Sequence, residues 1–260
     1  MEPNQLYDRN LLLGGPERNA VLELWEVRRY GADTFGDEDY VCIFGLAPER
    51  WYAKGVRLLG RTAVECTRDQ LGDQIGKDVA AVVASPSRTR DLLVVDPFVG
   101  SGNTLYWLLR HLPGARGLGF ESDPGVFRLT RSNLAALGLS IDVRNTDYLS
   151  GLNDLSVPEN QRLIAFLAPP WGGALSPEAG LDLRRTSPPI SDVVDVLLDW
   201  FASNPMVVAV QVYERMDADS LAALRSRFEW SALRIYDLNA PGENHGVLIG
   251  LKRWTREHEL

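Results

Sequence analysis

Between residues 67 and 252 the hydrophobic pattern switches repeatedly between two periods. Over 67–84, Leu71, Ile75, Val79 and Val82 recur at helical spacing, with Thr67 as candidate N-cap. Residues 92–95 form a short all-apolar run, as a strand buried on both faces requires. The pattern then predicts helix over 103–112, strand over 116–120 and helix over 124–137. That last helix opens with Asp123 as cap and Pro124 in the first turn, and Gly138 closes it. Further strands are predicted over 140–144, 163–167 and 207–212, and further helices over 191–203 and 220–228. Residues 231–238 and 246–252 read as a closing antiparallel pair. Repeated β-α-β units imply an α/β fold, with a mainly parallel seven-stranded sheet covered by helices on both faces.

The first 64 residues read differently. Residues 20–30 and 40–46 are β-rich runs bracketing a turn-rich stretch over 31–37. We read 1–64 as a small β-containing appendage to a main domain over 65–260. A lid, a cover for a sheet edge and a dimerisation element are all open roles for it.

Composition narrows the classes. The 260 residues are 45% hydrophobic and 24% charged, so there is ample apolar material for a core. No stretch approaches the roughly 20 apolar residues of a membrane span. Met1 to Gln5 lack the basic, then apolar, signature of a secretory leader. With 35 acidic against 27 basic residues the net charge is −8, which disfavours a globally basic nucleic-acid binder. Cys42 and Cys66 are the only cysteines, and no CxxC occurs. Neither a disulfide framework nor a zinc site is expected, and a reducing cytoplasm fits.

The segment richest in chemistry joins the strand over 92–95 to the helix over 103–112: Asp96-Pro97-Phe98-Val99-Gly100-Ser101-Gly102-Asn103. A glycine turn at a helix N-terminus lets backbone N–H groups approach a ligand closely. The turn lacks the Gly-Lys-Ser/Thr of a P-loop. It also lacks the third glycine of the dinucleotide pattern, where Leu105 stands.

An acid followed by Pro-Phe and this turn resembles motif I of class I S-adenosylmethionine-dependent methyltransferases. The resemblance implies a Rossmann-like seven-stranded methyltransferase fold with S-adenosylmethionine as cofactor. It implies that Asp96, Pro97, Phe98, Gly100, Gly102 and Asn103 lie against the methionine part. Glu121, ending the next strand, would accept bonds from the ribose hydroxyls. After the third strand Asp147 would read the adenine amino group, with Tyr148 as a stacking or backbone partner. Ala168-Pro169-Pro170-Trp171-Gly172-Gly173 resembles the catalytic tetrapeptide of enzymes that methylate exocyclic nitrogens.

Together with the stretches around 66–71 and 180–188, this last element is similar to the trimethylguanosine synthase group, which methylates N2 of a cap guanine in RNA. The resemblance covers about 65–254. It implies an N-methyltransferase acting on a planar acceptor, with Ala168 and Pro169 offering carbonyls, Pro170 stiffening the turn and Trp171 stacking on the acceptor. One residue departs from the pattern: Ala168 stands where relatives carry Asp, Asn or Ser. That keeps alive a small amine or guanidine acceptor oriented by Glu178 or Asp182. It also keeps alive a non-catalytic scaffold. RNA, a nucleotide and a small metabolite are thus the candidate partners. His245 reads as a surface histidine. The Trp51-Tyr52 pair with Lys54 and Arg57, and Arg184-Arg185, are weaker candidates for phosphate contact.

Overall fold

The computed structural model describes residues 6–83, 91–159, 161–176, 178–238 and 244–254. Met1 to Gln5 and Ala84 therefore lie outside the described residues. Nine strands and nine α-helices are placed within them. The central sheet uses β1 (Leu92–Asp96), β2 (Arg116–Phe120), β3 (Asp142–Arg144), β4 (Arg162–Leu167), β7 (Met206–Tyr213), β8 (Trp230–Ile235) and β9 (His245–Lys252). Their order is β3-β2-β1-β4-β7-β9-β8. β9 runs antiparallel to both its neighbours, while the pairings among β3, β2, β1, β4 and β7 are parallel. This is the expected seven-stranded sheet. A two-residue ladder, β5 (Leu175–Ser176) with β6 (Gly180–Leu181), follows the candidate catalytic turn.

The all-apolar strands are buried on both faces because side chains alternate. Leu92, Val94, Ile164, Phe166, Val207, Ala209, Ile249 and Leu251 face one core. Leu93, Val95, Leu163, Ala165, Leu167, Val208 and Val210 face the other. The first core is closed by α4 (Asp69–Val83), α5 (Asn103–His111) and Leu134 of α6 (Pro124–Ala136). The second is closed by α8 (Ile190–Trp200), with Leu152 of α7 (Tyr148–Asn153) and Leu224 of α9 (Ala218–Arg225). Asp123 caps α6 as expected, its Oδ1 accepting from the backbone of Gly125 at 2.8 Å and Val126 at 2.9 Å.

The N-terminal reading needs correction. The run over 20–30 is not a strand: Leu24–Phe35 is helix α1, followed by α2 (Pro48–Ala53) and α3 (Gly60–Glu65). In α1 the buried positions Val27, Tyr30 and Gly31 follow helical spacing. A capping box of Glu23 and Glu26 opens it, and Gly36, at φ 72°, closes it. The β-branched and aromatic side chains imitate a strand; the acidic cap is an unusual one and easily missed. Among the described residues of this segment, only isolated bridges, Val21 with Leu59 and Ile43 with Leu46, carry β pairing. Leu12, Leu22, Val41, Ile43, Trp51 and Leu58 join the first core, so this segment packs under the same sheet face as α4 and α5. Trp51 is fully buried and donates its indole N–H to the Val41 carbonyl, which places it in the core and not at a phosphate site.

One polar cluster ties the segment to the glycine turn. Asn103 is fully buried, and both its amide N–H donors and its oxygen are engaged. Its Oδ1 accepts from the Phe44 N–H at 2.6 Å, and its Nδ2 donates to the Thr67 carbonyl at 2.8 Å and to Asp69 at 3.1 Å. Asp69 also accepts from the indole of Trp107 at 2.6 Å and from the Gly45 N–H at 2.9 Å. Thr67 does not cap α4, which starts at Asp69; its hydroxyl donates to Gln211 on β7.

Replacing Asp69 by Ala strands the buried donors of Asn103 and Trp107. Urea unfolding of Asp69→Ala is expected to give a loss of about 2–4 kcal/mol. A loss below about 1 kcal/mol would mean that the cluster is dispensable.

Candidate active site

The candidate residues converge at the carboxyl ends of the parallel strands. In open α/β sheets ligands bind there, at the point where the strand order reverses. β1 lies between β2 and β4, and helices leave the sheet on opposite faces at this point. Asp96 ends β1, Glu121 follows β2, Asp147 and Tyr148 follow β3, and Ala168 to Trp171 follow β4.

The glycine turn is built by backbone constraints. Gly100 and Gly102 sit at φ 49° and 82°, which side chains disfavour. The Val99 N–H donates to the Phe120 carbonyl at 3.0 Å, laying the turn across β2. That approach needs Gly119, where a Cβ would stand 2.6 Å from Val99. Pro97 is buried between the strand and the turn. The Asn103 side chain points away into the cluster described above, so it neither caps α5 nor faces the cleft; Gly102 holds the N-cap position.

Asp96 is 2% exposed and accepts from the Phe98 N–H at 3.0 Å. Burial pushes its carboxyl up to about 7, and the nearby Glu121 charge adds to the rise. Burial likewise raises Glu121, although its carboxylate accepts from the Asp123 N–H at 2.8 Å and lies near Arg61. Arg61 pairs with Asp123 at 2.6 Å and keeps a buried Nε without a protein partner. No motif in the sequence marked Arg61; only the packing of α3 against the start of α6 brings it here. A buried Asp96 with a single backbone donor, beside a half-buried Glu121, makes a cleft suited to a ligand rich in donors or positive charge.

Phe98 and Tyr148 face each other with ring centroids 5.4 Å apart and form an aromatic wall. Asp147 is the N-cap of α7: its carboxylate accepts the Ser150 N–H at 3.0 Å and the Ser150 hydroxyl at 2.7 Å. These bonds hold it below the usual carboxylate range. They leave lone pairs for a further donor.

On the other side of β1, Ala168 is half-buried, Pro169 buried and Pro170 exposed. The Pro170 carbonyl accepts the Ser187 N–H at 3.2 Å, so the return of the chain over 182–187 fastens the turn. Trp171 packs on His245 at 5.2 Å and on Tyr213 at 6.2 Å between centroids. His245 opens β9 opposite Tyr213 in register. It is thus not a surface histidine: burial, with the charges of Arg68 and Arg9 nearby, pushes it down to about 4. The hairpin pattern hid this, because its place depends on pairing across β7. Asp182 is bound by Arg184 at 2.8 Å, and Arg184 also reaches Asp217 at 2.9 Å. That pairing occupies both an acid considered for orienting a guanidine and an arginine considered for phosphate. Glu178 is exposed.

Among the described residues no group of His, Cys, Asp and Glu is placed to hold a metal ion, and no helix is long and apolar enough to cross a membrane.

No protein-family model matches the chain, and no curated protein matches it in sequence. Solved structures do match. The METTL16 methyltransferase domain lacking its N-terminus aligns over 90% of this chain and 98% of its own, at 15% identity and a TM-score of 0.55. A human methyltransferase 10 domain containing protein aligns over 73% of this chain and 84% of its own, at 15% identity and a TM-score of 0.53. The fold is that of the Rossmann-like class I methyltransferases. Neither structure points to the trimethylguanosine synthase group.

Buried Asp96 yields a pH signature. Between the unfolded carboxyl range near pH 4 and about pH 7, the native state holds a proton that the unfolded chain has released. Relative to Asp96→Asn, stability should therefore fall as pH rises through that window, by up to about 1.4 kcal/mol per pH unit, and level off above it. Urea unfolding of both proteins from pH 5 to 8 checks this; parallel curves would place the Asp96 carboxyl in the ordinary range.

Proposed function

We propose that the chain is an S-adenosylmethionine-dependent methyltransferase that methylates a nitrogen on an uncharged planar acceptor. The observation that carries this reading is the convergence at one switch point of a glycine turn, two sparsely compensated carboxyls and a Pro-Pro-Trp turn. S-adenosylmethionine supplies an electrophilic methyl group on a sulfonium. Its amino group and ribose hydroxyls are the kind of donors that the remaining lone pairs of Asp96 and Glu121 can take. Gly100 and Gly102 leave room for close approach, Phe98 and Tyr148 offer an apolar wall for adenine, and Asp147 offers an acceptor.

On the acceptor side, the carbonyls of Ala168 and Pro169 take N–H bonds and aim the nitrogen lone pair at the methyl carbon. S-adenosylmethionine held by the glycine turn, Asp96 and Glu121 would supply the methyl carbon and keep the electrons of its C–S bond on sulfur, and the methylated nitrogen would shed its proton to water. Positioning supplies much of the rate in such a displacement. Trp171 gives a flat apolar face. The positive charges near His245 disfavour a cationic acceptor, and Asp182 is already paired, so a guanidine metabolite is the weaker reading. The resemblance to the trimethylguanosine synthase group supports a guanine-like acceptor in RNA or a nucleotide. The net charge of −8 keeps a small heteroaromatic metabolite as the second reading.

The test is transfer of a labelled methyl group from S-adenosylmethionine into an extract of the source cells, with products separated by size. Label in RNA or in nucleotides supports the reading, label confined to other small molecules supports the second, and no label at all overturns both. Glu121→Ala is expected to weaken S-adenosylhomocysteine binding at least about tenfold in calorimetry, the loss of a charge-assisted bond or two. Trp171→Ala should spare that affinity and raise the acceptor KM. Unchanged turnover in Trp171→Ala would remove the stacking role.

A further inference from the structure

The Trp171, Tyr213 and His245 rings stand 5.2 to 6.2 Å apart, centroid to centroid. A planar guest sandwiched between two rings needs them about 7 Å apart, twice an ordinary contact distance. The three rings are therefore not a cage around a ligand. They pack on one another, and Tyr213 and His245 brace the indole from the β7–β9 side.

The imidazole is itself held. The Thr67 hydroxyl donates to Gln211 Oε1 at 2.8 Å, which turns the amide nitrogen of Gln211 toward His245 Nδ1, 3.4 Å away. Nδ1 then accepts, and the ring proton sits on Nε2. Thr67 is fixed in turn, because its carbonyl accepts from Asn103, the residue directly after the glycine turn. A continuous chain of bonds and ring contacts thus runs from Asn103 through Thr67, Gln211 and His245 to Trp171. These four supporting residues come from α5, the loop before α4, β7 and β9.

We propose that His245 is a positioning residue for the methyl acceptor: with Tyr213 it holds the indole of Trp171 in one orientation, and Gln211, anchored on Thr67, fixes its imidazole as the Nε2–H tautomer. The link to the acceptor rests on the methyltransferase reading; the bracing itself does not. A neutral ring suits the task, since it packs flat on the indole without drawing water into the contact.

Two ligand-free measurements decide the bracing. Nitrogen-15 spectra of histidine-labelled protein should give His245 the Nε2–H signature from pH 6 to 8, and Gln211→Met should mix the tautomers. An Nδ1–H signature in the wild type, or no change in Gln211→Met, would overturn the relay. The near-ultraviolet circular dichroism of Trp171, taken as the difference between the wild type and Trp171→Phe, should fall by at least about half in His245→Ala and survive in His245→Phe, which keeps a flat ring. An unchanged band in His245→Ala would overturn the brace. Kinetics then decide the positioning role, with guanosine monophosphate and total RNA as acceptor probes. His245→Ala should raise the acceptor KM about fivefold or more, leave S-adenosylhomocysteine affinity within about twofold, and be largely rescued by His245→Phe. An acceptor KM equal to that of the wild type would overturn positioning. If the wild type binds no S-adenosylhomocysteine, the methyltransferase reading fails, and the spectra still decide the brace.

Discussion

The architecture of the cleft depends on the bonding of one buried amide. Asn103 stands where the glycine turn becomes a helix, and its three side-chain bonds reach two other stretches of chain, at Phe44 and at Thr67 and Asp69. A buried amide left unpaired costs more than a hydrogen bond is worth, so these stretches hold station together or not at all. Through Asp69 the same cluster takes in Trp107 and Gly45. The N-terminal helices are thus fastened at the carboxyl ends of the strands, where α3 brings Arg61 to Asp123 and the stretch before α4 brings Arg68 near His245.

The contrast among buried acids locates the chemistry. Asp69 is buried, yet four hydrogen bonds offset much of the cost, and it acts as a structural node. Asp96 is more deeply buried and has one backbone donor. The two differ in what is missing. Asp69 has its partners in the protein, whereas Asp96 and Glu121 leave acceptor capacity for something else. The Pro-Pro-Trp side of the cleft is organised differently, by the rings of Trp171, Tyr213 and His245 and by the Pro170 carbonyl that Ser187 engages. Ala168 fits that pattern under the proposed function: with no side-chain acceptor there, orientation would fall to the carbonyls, to the fastening of Pro170 by Ser187 and to the braced indole.

Much of this was legible along the chain because it is local. Apolar runs in 92–95 and 207–212 and the cap at Asp123 act within a few residues, and their periods and turn chemistry predict the elements that form. Motif I and the Pro-Pro-Trp turn were legible for the same reason, since each is one contiguous turn at a strand end. The segment over 20–35 was misread because β-branched and aromatic residues there satisfy helical spacing as well, and an acidic cap decided the matter. Asn103 was placed toward the ligand because its neighbours are. Its amide turned inward because donors and acceptors on two distant stretches, at 44 and at 67–69, needed partners.

By itself, then, the sequence determined the alternation of strands and helices after residue 67, the mainly parallel seven-stranded sheet and the strand-end turns that mark the cleft. Those follow from side-chain periodicity and from glycine and proline geometry, which act over a few residues. Only the tertiary structure decided that His245 lies on Trp171, that Arg61 faces Glu121 and that Asp182 is taken by Arg184. These contacts join residues far apart in the chain. Their energies come from excluding water between groups that no local pattern brings together.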